Sequence, residues 1–361
     1  MAPTPTTPTV LICVTSFAPL DDCLIQAASP IILPEIMSKR SIDPDQSANS
    51  NQPLQPRQAQ TSEPVLITPQ LFCNILTGRD PEGHKGTFGS VGILGGAPGM
   101  TGAALLAGRS ALKAGAGRVY VSLAQHRPDV VVDYVQPELM IRPAREMLAN
   151  ARQINAWGVG CGMGSSADSV SLFRELLHVR AATPTVIDAD ALNALANATV
   201  EPDWSDDNIV LTPHPAEAAR LLHTTTDEVQ ARRLSAALRI SGQYRAWVVL
   251  KGHRTLIASP DGRLYINPTG NVALATAGTG DVLTGLIASL LAQGYDVATA
   301  VCGAVWLHGA AGEAMTSKLG GPIGVTASDI VDSVRTLRNS SSDLEQEIAL
   351  YGISHQIPGR A

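Results

Sequence analysis

No two of the five cysteines (Cys13, Cys23, Cys73, Cys161 and Cys302) form a CxxC pair, and their number is odd. A disulfide framework or a zinc site therefore has little to stand on, and a reducing compartment, the cytoplasm, is expected. Clusters of Lys and Arg are missing as well. With a formal net charge of -6, the chain lacks the electrostatic footprint of a nucleic-acid binder. No apolar run reaches the roughly eighteen residues that a membrane span needs. The short patch at residues 10–14 has no positive region before it, so a secretory signal is a poor fit. Aromatics are 4% of the residues and charged residues 16%, while hydrophobic residues are 45% with Ala and Gly prominent. That composition suits a tightly packed α/β enzyme better than a disordered or coiled-coil protein.

Residues 1–62 differ from the rest, being rich in Pro, Thr, Ser, Gln and Asn, with 47–60 almost wholly polar. They are expected to form a disordered extension. Met37, followed by Ser38-Lys39-Arg40, offers an alternative start that would leave the first 36 residues untranslated. Residues 63–338 carry the pattern of a folded domain, and 339–361 read as a flexible polar tail. Within the domain, apolar strand-like runs alternate with helical ones. Strands are expected at 90–94, 118–123, 156–159, 185–187, 209–211 and 248–250, with a hairpin over 256–266. Helices are expected at 101–114, 169–177, 216–222, 282–292, 297–314 and near 327–337.

This alternation points to a mostly parallel central sheet with helices on both faces, whose ligands bind at the carboxyl ends of the strands. Polar or glycine-rich loops follow those ends at Gly95, Gly160, Asp188, His214 and Lys251. Converging with a further loop at Gly278, they predict a nucleotide-sized cleft. Neither common phosphate-binding motif is present. No loop ends in the Gly-Lys-Ser/Thr of a P-loop, and Gly158-x-Gly160-x-Gly162-x-Gly164 is not GxGxxG.

The stretch Ala277-Gly278-Thr279-Gly280-Asp281 stands in their place, followed at once by the apolar helical pattern Val282, Leu283, Leu286, Ile287, Leu290 and Leu291. Two glycines allow a sharp turn and close backbone approach to a ligand. The free amides of the helix start favour an anion. A carboxylate beside a bound phosphate would be repelled, unless Asp281 takes a proton from an attacking hydroxyl. The alternative is that Asp281 only caps the helix, a role that stabilises by about 1 kcal/mol.

His84-Lys85-Gly86-Thr87-Phe88-Gly89, Val186-Ile187-Asp188-Ala189-Asp190-Ala191-Leu192-Asn193, Leu211-Thr212-Pro213-His214-Pro215-Ala216-Glu217 and Val249-Leu250-Lys251-Gly252 occur in that order. With the Gly-Thr-Gly-Asp segment, they resemble the NAD(P)H-hydrate dehydratases over about residues 66–338. These are repair enzymes of ribokinase-like fold. Two departures are Ala216, where Gly is usual, and Cys161, where Pro is usual.

The resemblance implies a kinase site put to an unusual use. The hydroxyl of hydrated NADH or NADPH attacks a nucleotide phosphate, and the ester then eliminates phosphate to restore the ring double bond. Bacterial members use ADP, giving AMP and phosphate, while animal and fungal members use ATP. By the same resemblance Asp281 is the base, and Lys251, Gly252, His253, Arg254, Thr255 and Gly280 contact the nucleotide. Ala103, Ala104, Gly162, His214 and Asp281 lie against the hydrated substrate, and Glu217 organises Mg²⁺ through water. A homotetramer is implied too. Residues 1–66 are too few and too polar for the epimerase domain of many bacterial relatives, so a separate NAD(P)H-hydrate epimerase is the expected functional partner. Two rivals are a small-molecule kinase of the same fold and a nucleotide sensor without turnover.

Overall fold

The structure, a computed structural model, describes residues 63–340 apart from 129, 202, 203, 205 and 206. The extension expected over 1–62, and the tail beyond Ser340, lie outside the described residues. The first half of the domain contains β1 (Val65–Leu66), β2 (Ser90–Gly95), α1 (Thr101–Lys113), β3 (Arg118–Leu123), β4 (Met140–Ile141) and α2 (Ala144–Ala149). Then come β5 (Ala156–Val159), α3 (Ala167–Val179), β6 (Thr185–Ile187), α4 (Ala189–Ala196), β7 (Ile209–Leu211), α5 (Pro215–Leu221), α6 (Thr226–Ala231) and α7 (Arg233–Tyr244). The chain continues through β8 (Trp247–Leu250), β9 (Leu256–Ala258), β10 (Leu264–Ile266), α8 (Thr279–Ala292), α9 (Val297–Leu319) and α10 (Ala327–Asn339).

Among the described residues ten strands form one sheet in the order β1-β10-β9-β8-β7-β6-β5-β2-β3-β4. Only β9 runs against its neighbours, pairing antiparallel with both β8 and β10. The strands read as continuous apolar runs because both faces are covered, and alternate residues enter two cores. Ile93, Val186, Val210, Val249 and Ile257 pack with α1, α8, α9 and α10. Leu94, Ile187, Leu211, Leu250 and Leu256 pack with α2 through α7. The strand order reverses between β2 and β5, both parallel to each other and each continuing outward in opposite directions. A crevice at the carboxyl ends follows from that reversal.

The expected strands and the hairpin are all present, and the helix ends differ. α8 begins at Thr279, three residues early, because the glycine turn at Gly278 (φ +91°) starts it. α9 runs to Leu319 through a polar last turn and stops at Gly320, whose φ of 72° supplies the left-handed residue that ends many helices. α10 includes Asn339, the first residue of the expected tail. β1, β4, α2, α6 and α7 were not anticipated; the first two have two residues each, and α7 mixes Arg, Ser, Gly and Gln with its apolar positions.

Candidate active site

The loop before α8 is fixed from several sides. A side chain at Gly278 would meet Leu106 at 2.6 Å, and its φ of +91° is one that L residues rarely adopt. The Thr279 hydroxyl donates to Leu274 O (2.8 Å) or Thr276 O (2.9 Å). Buried His308, on α9, donates from Nε2 to the Thr279 carbonyl at 2.9 Å. Burial pushes the His308 pKa down to about 4, so it serves as a neutral imidazole. Val282 N–H bonds back to Gly278 O (3.0 Å), so the amides of Gly280 and Asp281 precede the helical ladder and face outward.

Asp281 is the third residue of α8 and not its cap, a place taken by Gly278 without any side-chain capping bond. The capping role is thereby removed. Ligand atoms of Asp281, Cys161 and Asp188 lie within 4.8 Å of one another. Burial raises the Asp281 pKa from 3.8 to about 6; a hydrogen bond from the Cys161 thiol and the charge of Lys251 oppose that rise, while Asp188 and Asp190 add to it. The Cys161 thiol is itself held well above its usual range, first by burial and then by Asp281 and Asp188. It stays protonated and can donate.

Lys251, at the end of β8, donates to Asp188 Oδ1 at 2.7 Å and lies 3.9 Å from Glu217 Oε2. The other Asp188 oxygen accepts from Thr284 of α8 (3.0 Å). Burial works to lower the Lys251 pKa, but Asp188 and Glu217 outweigh it and keep the ammonium above its ordinary range. Beside this pair opens a cavity of about 420 Å³ lined by Lys251, Gly252, His253, Arg254, Thr255 and Gly280, all six residues expected at the nucleotide. Its lining also includes Leu283 of the apolar helical pattern, together with Asn267, Thr269 and His308, which no sequence motif marks.

The remaining expected residues fall around the same point. Gly96 N–H donates to Cys161 O (2.9 Å) and Ala97 N–H to Gly162 O (2.6 Å), joining the β2 and β5 loops. Gly162 has φ +56°, and a side chain there would meet Ala103 Cβ at 3.0 Å. Ala104 is wholly buried, backbone and side chain alike. His214 caps α5 with its ring: its Nδ1 accepts from Ala216 and Glu217 amides (3.1 and 3.4 Å), and its Nε2 lies 3.4 Å from Glu217 Oε1. Both ring nitrogens are used inside the turn, which leaves a half-exposed ring beside Lys251. Burial, then Lys251 and Arg220, lower its pKa and keep it neutral. Glu217 accepts from His214 N–H at 2.8 Å, completing the cap of α5, and burial raises its pKa.

A mostly parallel sheet covered on both faces, a glycine-led helix start and a half-buried carboxylate beside a nucleotide-sized cavity define an enzyme of ribokinase-like fold. The NAD(P)H-hydrate dehydratase family profile matches residues 91–335, and the chain belongs to that family. The chain is 44% identical over 277 residues to the ADP-dependent (S)-NAD(P)H-hydrate dehydratase of Neisseria meningitidis serogroup B, covering 76% of this chain and 93% of that one. It is 40% identical to the bifunctional NAD(P)H-hydrate repair enzyme of Moorella thermoacetica, covering 79% of this chain but only 56% of the longer relative. Among solved structures it resembles the ADP/ATP-dependent NAD(P)H-hydrate dehydratase of Bacillus subtilis co-crystallised with ATP/Mg²⁺, at 31% identity and TM-score 0.65, over 76% of this chain and 97% of that one.

Proposed function

We propose that the protein dehydrates the S epimer of NAD(P)H hydrate at the expense of ADP, releasing NAD(P)H, AMP and phosphate. The observation that carries this reading is Asp281: a half-buried carboxyl with a pKa of about 6, at a helix start beside the nucleotide cavity. A base poised near working pH removes a proton efficiently without being protonated most of the time. Asp281 takes the proton of the substrate hydroxyl as its oxygen attacks the β-phosphorus of ADP, and AMP leaves. Phosphate then leaves with the C–O bonding pair, and loss of a proton from the adjacent ring carbon supplies the pair that restores the ring double bond. Amides of Gly280 and Asp281 meet the developing phosphate charge, Lys251 meets the nucleotide's, and Gly252, His253, Arg254 and Thr255 hold the rest of it.

Ala103, Gly162 and the His214 ring contact the hydrate, and wholly buried Ala104 supports the turn of α1 that carries Ala103. Of the nearby groups, Asp188 is taken by Lys251 and Thr284, and the Cys161 thiol is a soft donor unsuited to a hard cation. Glu217, an oxygen donor 3.9 Å from Lys251, would hold Mg²⁺ through water; bound there, the ion would neutralise phosphate charge. A separate NAD(P)H-hydrate epimerase is the proposed functional partner, and the chain spans about half the length of the bifunctional relatives it matches. A cytoplasmic homotetramer completes the proposal, with light scattering of the purified protein as the check on assembly. Among the described residues no helix is long and apolar enough to cross a membrane.

Incubation with hydrated NADH tests the reading. Reduced-nicotinamide absorbance should return with ADP, accompanied by one AMP and one phosphate per NADH. Accumulation of a stable phosphate ester without recovered absorbance would instead make the protein a small-molecule kinase.

A further inference from the structure

At the other end of α1 and α8 from Asp281 lies a second cavity of about 420 Å³, which shares no lining residue with the nucleotide cavity. α1 has 13 residues and α8 has 14. At 1.5 Å per residue the two ends are about 20 Å apart, too far for one small ligand to reach both. Four cations line this cavity: Arg79, Lys113, Arg335 and Arg338. The one carboxylate paired with any of them among the described residues is Asp332, 2.5 Å from Lys113 and 3.5 Å from Arg335. Four positive charges against one negative leave a surplus of three.

Two of those charges are held in place by neutral groups. Arg79 lies over the Phe88 ring, 4.1 Å from its centroid, and donates to Gly115 O. Arg338 donates from Nη2 to Gln293 Oε1 (2.7 Å) and from Nε to Ile75 O (3.3 Å). Between them is Gly115, with φ +107°; a side chain at that point would lie 2.6 Å from both Arg79 Nη2 and Arg338 Nη1. The missing side chain thus lets the two guanidinium edges draw together at this point. The carbonyl end of α1 accounts for part of the attraction for cations. That demand is met, since Gly115 O accepts from Arg79 and Ala114 O from Gln293 (3.2 Å).

We propose that this cavity is a second anion site, taking a phosphate or pyrophosphate group of a small molecule. Arg79 and Arg338 form the fixed fork, since guanidinium geometry matches phosphate oxygens in pairs. Lys113 and Arg335 complete the cationic lining around the group. The site is independent of the nucleotide cavity.

Calorimetric titration of the full chain with inorganic pyrophosphate at low salt tests this. The expected result is a site that survives Arg254→Gln in the nucleotide cavity. Arg79→Gln or Lys113→Gln should weaken it at least threefold, and the double variant at least tenfold. Affinity should also fall as salt rises. Arg335→Gln, at an exposed position, carries the test if Arg79→Gln does not fold. Parallel titrations with phosphate and with AMP distinguish a free inorganic ion from a nucleotide as the source of the group. No binding at millimolar pyrophosphate, or equal binding by wild type and the double variant, would overturn the proposal. So would loss of binding in Arg254→Gln.

Discussion

Asp281 holds a proton to about pH 6, so ionising it at neutral pH opposes folding. Its folded pKa lies above the 3.8 of an ordinary Asp. The associated stability is therefore complete below pH 3.8 and lost as pH rises through about 6. Asp281→Asn removes that loss, and should be more stable than wild type at pH 7.5 by about 1–3 kcal/mol. The gap should close on acidification to pH 4, which melts at the two pH values will read; a gap that widens would contradict the assignment. Turnover should follow the opposite course, rising with pH through about 6 as the base ionises. Lys251→Ala should raise the ADP KM more than it lowers kcat, and a defect that persists at saturating ADP would move its role to the transition state. The same change strands Asp188, and removing one partner of a buried ion pair costs about 3–5 kcal/mol. The Gly-Thr-Gly-Asp run made Asp281 and Gly280 legible in the sequence. The Asp188–Lys251 pair was not, because 63 residues separate its members, and His308 is hidden in a helix of small and apolar residues.

At the scale of elements, the site depends on how closely α1 and α8 approach. Ser110 donates to Val282 O (2.7 Å) and Ser289 to Ala111 O (2.8 Å), so hydroxyls on each helix reach the backbone of the other. A Cβ added at Gly285 would fall 2.0 Å from Ala107 O. Gly285→Ala must push the helices apart, with a cost of about 1–3 kcal/mol, and should slow turnover by moving Asp281 from Cys161. Gly242→Ala in α7 is the contrast, since nothing lies within 4 Å of its added methyl. It should be neutral or stabilising by up to about 1 kcal/mol. Denaturant melts of both variants check the pair, and equal effects would count against the packing argument. The alternating strands and helices were legible because each strand is an apolar run ending in a polar or glycine loop. Helix ends were less so: the three residues before Val282 are small and polar, and only the turn at Gly278 makes them helical. α7 escaped notice for want of a clean apolar face in its sequence.

For the whole molecule, a chain shortened to begin at Glu63 should match the full chain in Tm and turnover. A clear loss of either would mean that residues 1–62 contribute to the domain. The described domain brings loops from β2, β5, β6, β7 and β8 to the start of α8, and the account of function rests on what Asp281 does there. Asp281→Asn keeps the shape of the side chain but cannot take the proton. ADP binding and hydrate turnover, measured on the same preparation, therefore separate the two properties. ADP affinity should hold or improve, since a negative charge beside the phosphates is gone, while turnover should fall by about two to four orders of magnitude. A variant that binds ADP and still restores NADH at near the wild-type rate would contradict the mechanism.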